Sequence, residues 1–221
     1  METIAQAIAK AAQTQPKEGG QQMLQRCSAA LAKYGDAAQM VKHHTIDILP
    51  VLADPQRRDA MILYPAPAMA LMAQAYGREK VELVVEGHVM QLADAMGVQY
   101  ERKQVKMCAS DIVSGWYYLT IYEIAAALKM AREGRFRDNN GRNMATMYGA
   151  FSSAAVIDCI AFFVKNYRAP LIDQQEQQQR ADAKERAAQT GITWGEYKER
   201  CKAEGKEIDP EIDALLSNFS R

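Results

Sequence analysis

The chain has 221 residues, 27 basic and 27 acidic, with 48% apolar, 24% charged and 8% aromatic side chains. This composition excludes a disordered tail, a collagen-like repeat and a disulfide-dense secreted module, and the length suffices for one good core or two small ones. Zero formal charge removes the bulk attraction on which a dedicated nucleic-acid coat or membrane-surface protein relies, so a charged partner must be met by a local patch.

Ile4 and Ile8 make a weak amphipathic start, and Pro16, Gly19 and Gly20 read as a hinge behind it. Met23, Leu24, Cys27, Leu31 and Tyr34 then recur at helical spacing, with Gly35 placed for a left-handed cap. Asp36 caps a helix running through Met40, Val41 and His44 until Pro50 stops it, and Asp54-Pro55 repeats the start signal. Between Ala60 and Gly77 no residue is charged, but Pro65 and Pro67 break that run into buried helical pieces too short for a bilayer. Val81, Val84, Val85, His88, Leu92 and Met96 form the next stripe, closed by Gly97, and a short helix around Val105, Cys108 and Ile112 leads to Trp116, Tyr117 and Tyr118, which read as core.

Thr120 and Glu123 form the clearest local signal, a capping box in which each side chain takes an N–H that a helix start leaves open. This helix is expected to end at Gly134. A polar loop, Asp138 to Asn143, precedes an apolar helix carrying Met147, Tyr148, Phe151, Phe162 and Phe163. From Asp173 to Gln189 there is high helix propensity without an apolar stripe, as in a solvated connector. Thr193 and Glu196 repeat the capping box, and Asp209-Pro210 opens a last small helix with Leu215, Leu216 and Phe219. The expected fold is all-α: a loosely attached N-terminal helix (1–19), a main multi-helix bundle (20–169) and a small polar helical appendage (170–221).

The four cysteines stand singly, without the short paired spacings of zinc or redox sites, and the first residues lack a basic stretch followed by an apolar one. A cytoplasmic protein with reduced thiols, no metal, no cofactor and no membrane association is the expectation. No Walker-type, dinucleotide-binding, zinc-protease or serine-hydrolase motif occurs, and no catalytic residue is assigned. His43 and His44 are neighbours that point about 100° apart on a helix, which reads as one surface and one core side chain rather than two metal ligands. His88 reads as a buried, hydrogen-bonded imidazole, and Asp158 as a solvent-facing carboxylate or a buried partner for an arginine.

One stretch concentrates positive charge: Lys129, Arg132, Arg135, Arg137 and Arg142, with Phe136 among them. The helix dipole accounts for Lys129 and Arg132. The remaining guanidinium groups and an exposed aromatic ring are expected to meet nucleic acid or an acidic protein groove, or to be a solvated turn. Trp194, Tyr197 and Leu216 sit in a tail too small to bury them, so they either dock on a partner or fold back on the bundle.

Residues 81 to 167 combine the valine-rich segment, Leu119-Thr120-Ile121-Tyr122-Glu123-Ile124, Arg132-Glu133-Gly134-Arg135-Phe136 and a helix ending Asn166-Tyr167-Arg168. This layout resembles small helical proteins of bacterial phages and mobile elements, some of them similar to replicative helicase loaders that lack their own ATPase. The resemblance implies a helical adaptor or DNA-replication accessory and transfers no catalytic residue. Two other classes stay open: an enzyme whose site assembles Asp158, His88 and the Tyr117 region in a bundle cavity, and a homo-oligomeric structural protein.

Overall fold

The computed structural model describes residues 18–190 and 194–206 as an all-α, multi-helix bundle, with no strand among the described residues. In order the helices are α1 (Glu18–Tyr34), α2 (Ala37–Lys42), a π-helical turn (His43–Asp47), α3 (Leu49–Ala53), α4 (Pro55–Leu63), α5 (Met69–Tyr76), α6 (Arg78–Ala95), α7 (Arg102–Gly115), α8 (Ile121–Arg132), α9 (Ser153–Phe163), a second π-helical turn (Val164–Arg168), α10 (Ala169–Thr190) and α11 (Trp194–Ala203). Two compact units result, Met1–Leu171 and Ile172–Arg221. Gly19 and Gly20, expected in a hinge, lie within α1. The start signal at Thr193 and the last helix at Asp209 fall outside the described residues. Among the described residues no helix is long and apolar enough to cross a membrane.

The core of the first unit is built around α8. Every residue of α8 except Lys129 and Arg132 is buried, as a helix apolar on all sides must be. Ala125, Ala126 and Ala127 keep its flank thin, and α4, α6 and α9 pack against it. Its start is the capping box expected from sequence: Thr120 Oγ1 accepts from the Glu123 N–H at 3.1 Å, and Glu123 Oε2 accepts from the Thr120 N–H at 2.7 Å. Glu123 also takes an ion pair from Arg168. Beside this cap the Met69 N–H donates to the Leu119 carbonyl at 2.7 Å, setting the start of α5 against the start of α8.

Both π-helical turns stand just ahead of a proline: Pro50, expected to stop its helix, and Pro170, at the expected boundary between bundle and appendage. A proline ring clashes with the carbonyl four residues earlier and offers no N–H to it. At the second turn the chain answers by pairing Ala169 N–H with the Val164 carbonyl, five residues back, and helix continues through the proline instead of ending. The two turns bracket the first turn of α8: His43 bonds Tyr122 from one side and Arg168 pairs with Glu123 from the other.

Three expectations about apolar side chains are corrected. Tyr117 and Tyr118 form an edge-to-face pair on the surface rather than in the core, because the chain leaves α7 there and turns back toward α8. The helix expected from Met147 begins only at Ser153, where the Ser152 hydroxyl accepts from the Ala155 N–H, and Tyr148 stands in solvent ahead of it. Phe136, expected exposed, is buried against Phe162 and Phe163. In the second unit, α10 and α11 carry i,i+4 pairs such as Arg180–Glu176 and Arg200–Glu204 on exposed faces.

Candidate functional site

The basic turn is partly paired from within, through one shared carboxylate. Glu133 holds Lys129 at 2.8 Å and Arg135 at 2.9 Å, and it also receives the fully buried Arg58 at 3.2 Å. Burial pushes the Glu133 carboxyl up, but Lys129, Arg58 and Arg135 together hold it below its ordinary value, so it stays charged. Arg132 reaches toward Gln91, and Arg137 donates to the Gly141 carbonyl at 2.8 Å. Arg137 and Arg142 are the exposed cations left, and with Phe136 buried the turn offers no ring for a base to stack on. Asp158 and Tyr117 face solvent while His88 is enclosed, so the three residues of the enzyme alternative do not line a common cavity. Of the expected tail contacts, Tyr197 is half-exposed on α11; the Trp194 side chain and Leu216 lie outside the described residues.

The residues that do converge are the three histidines and two tyrosines. His44 Nδ1–H donates to the Met40 carbonyl at 2.9 Å, and His88 Nε2–H donates to the His44 carbonyl at 2.7 Å, which fixes both tautomers. His43 Nε2 lies 2.8 Å from the Tyr122 hydroxyl, which donates to the Tyr34 hydroxyl at 3.3 Å. The His44 ring stacks on Tyr122 with centroids 5.0 Å apart, and Tyr34 lies against both imidazoles. Burial drives the His44 imidazole down to about 4, against the pull of the Met40 carbonyl, and lowers His43 and His88 as well. Burial likewise raises Tyr34 to about 12 and raises Tyr122. The cluster is therefore neutral at pH 7.

Above it lies a groove in two parts. The first hollow, about 330 Å³, runs between the π-helical turn with α3 and the outer face of α4, lined by His43, Ile48, Val51, Met61, Tyr64 and Tyr122 with Asp47 and Arg57 at its rim. The second, about 370 Å³, lies between α1 and the Pro65–Pro67 segment and is lined by Arg26, Ala29, Lys33, Pro65, Pro67 and Leu71. Tyr64 is the residue common to both. Lys33 sits over it, with Nζ 4.5 Å from the Tyr64 ring centroid and 5.1 Å from that of Tyr34.

Short spacings in the sequence could show parts of this site but not the whole. Arg57, Ala60, Met61 and Tyr64 recur at the three- and four-residue steps of one helix face, as do Arg26, Ala29, Ala30 and Lys33. Their meeting depends on long-range packing, fixed by Tyr76, whose hydroxyl donates to the Ala30 carbonyl at 2.9 Å and so ties α5 to α1.

Burial pushes the Cys108 thiol up to about 11 and that of Cys159 to about 12, which removes them as nucleophiles. Among the described residues no three His, Cys, Asp or Glu side chains are grouped to hold a metal ion. Comparison of the chain with family models, curated proteins and solved structures found no match.

Proposed function

We propose that this chain is a non-enzymatic helical adaptor that seats a segment of a protein partner in the groove on either side of Tyr64. The observation that carries this reading is a pair of adjoining apolar hollows whose shared wall, Tyr64, is 53% exposed. Exposed aromatics between apolar pockets, edged by arginine and lysine, are the usual anchors of protein interfaces. The His44 and His88 rings are spent on backbone carbonyls and the Cys108 and Cys159 thiols are buried, which supports a binding role. A role in DNA replication, of the helicase-loader-like kind, rests on the resemblance of residues 81 to 167 alone. Four free thiols are in keeping with a reducing compartment, and we assign the protein to the cytoplasm.

The test is capture of partners from a lysate of the native host by the full chain and by two variants. Met61→Glu places a charge in the first hollow, whereas Arg137→Ala with Arg142→Ala strips the basic turn. A partner lost with Met61→Glu and kept with the arginine double variant supports the groove. The reverse pattern moves the interface to the turn and rejects the reading.

A further inference from the structure

We infer that the groove takes an acidic amphipathic helix with two large apolar anchors, one in each hollow astride Tyr64. The inference rests on the docking reading above and adds the chemistry of the partner.

Backbone hydrogen bonding selects the helix. The walls are the side-chain faces of α1, α3 and α4, with no strand edge among the described residues, together with a segment holding Pro65 and Pro67, which have no N–H to give. An extended peptide laid here would bury its own backbone groups without partners, as it would not against the free edge of a sheet. A helix brings its backbone bonds with it and needs only side-chain pockets.

Shape selects the anchors. Each hollow has the volume for one large apolar side chain, and the Tyr64 ring rises between them, so a single anchor fills only half of the groove. Side chains at i and i+4 or i and i+7 of a docked helix project from one face and can straddle a ring in this way.

Charge selects the acidic face. Arg26, Lys33 and Arg57 edge the two hollows, and Asp47 is the carboxylate lining them. Arg57 is 70% exposed and meets Asp54 at 3.5 Å, a contact that leaves most of its charge available, and Asp54 is already occupied in capping α4. The Lys33 ammonium, held over Tyr34 and Tyr64, stands beside the wall between the hollows, where a docked helix must pass. Paired cations flanking an apolar floor reward glutamates that alternate with apolar anchors.

The probes are fluorescein-labelled designed helical peptides about four turns long, titrated with the full chain and followed by anisotropy. One carries glutamates with two leucine anchors on a face, a second replaces each glutamate by lysine, and a third replaces the leucines by alanine. The acidic two-anchor peptide should bind at least about tenfold tighter than the other two, and should weaken with added salt. Tyr64→Ala should weaken it by about tenfold, and Arg57→Glu, an exposed change that leaves the fold intact, should turn preference toward the lysine peptide. If the lysine peptide binds as well and Met61→Glu abolishes it, docking stands and the acidic partner is rejected. Binding of dodecanoate with no binding of any peptide makes the groove a site for small amphiphiles and overturns both readings. Failure of all probes overturns both as well.

Discussion

Arg58 is the most demanding residue of the bundle. It is fully buried, its Nε and Nη2 have no hydrogen-bond partner, and Nη1 reaches only Glu133 and the Leu52 carbonyl. Removing the one carboxylate that faces a buried guanidinium leaves its desolvation uncompensated, so Glu133→Gln should destabilise the protein by about 3 kcal/mol, read as a lower urea midpoint. Arg135→Gln, which removes an exposed partner of the same carboxylate, should cost less than about 1 kcal/mol. His44 gives the pH dependence. Its folded-state value near 4 lies below the ordinary 6.5, so between those limits the unfolded chain binds more protons. Stability should therefore fall as pH drops from 6.5 toward 4, by up to about 3 kcal/mol. His43 and His88, also lowered by burial, add in the same direction. Denaturant midpoints measured across that range check this, and a His44→Phe variant, which keeps a ring against Tyr122, should show a shallower decline. The Glu133 carboxylate, held low by its cations, loses its contribution only at lower pH.

Among elements, α8 shows what local patterning can announce and what it cannot. The Thr120 and Glu123 cap was legible because it is written in four consecutive residues. Thr120→Ala should cost about 1 kcal/mol, whereas Glu123→Ala should cost about 3 kcal/mol because it also strands Arg168; thermal melts of the two variants would separate them. The Arg168 contact was invisible in sequence, since forty-five positions separate the pair. Gly35 likewise reads as a left-handed cap and has φ +73°, but its second role emerges only in three dimensions: a Cβ there would land on the Gln39 amide. That amide accepts from the Asp36 N–H and completes the capping box of α2. The aromatic run Trp116 to Tyr118 misled for the opposite reason, because apolar residue type does not say which side of a helix junction faces water. The joining of α1 to α4 at Tyr64 depends on the order in which helices pack, which no local spacing encodes.

For the whole molecule, helical periodicity sufficed to establish the bundle and the polar character of its C-terminal stretch, while the groove needed the assembled fold. Residues 173 to 186 are mostly exposed, with no apolar face to hold them. Trypsin should therefore cut first at Arg180, Lys184 or Arg186, ahead of any site in the bundle; first cleavage within α6 to α8 would contradict this order. The π-helical turns extend the same reasoning to the length of the chain. A turn closed one residue later than usual carries one residue more through about the same angle, so the helices on either side stay in phase. Each such turn is in effect a spare position: shortening the first by its outward-facing Ile46 would leave the stripes of α2 and α3 aimed where they already are, and would be felt at the imidazole cluster that this turn carries.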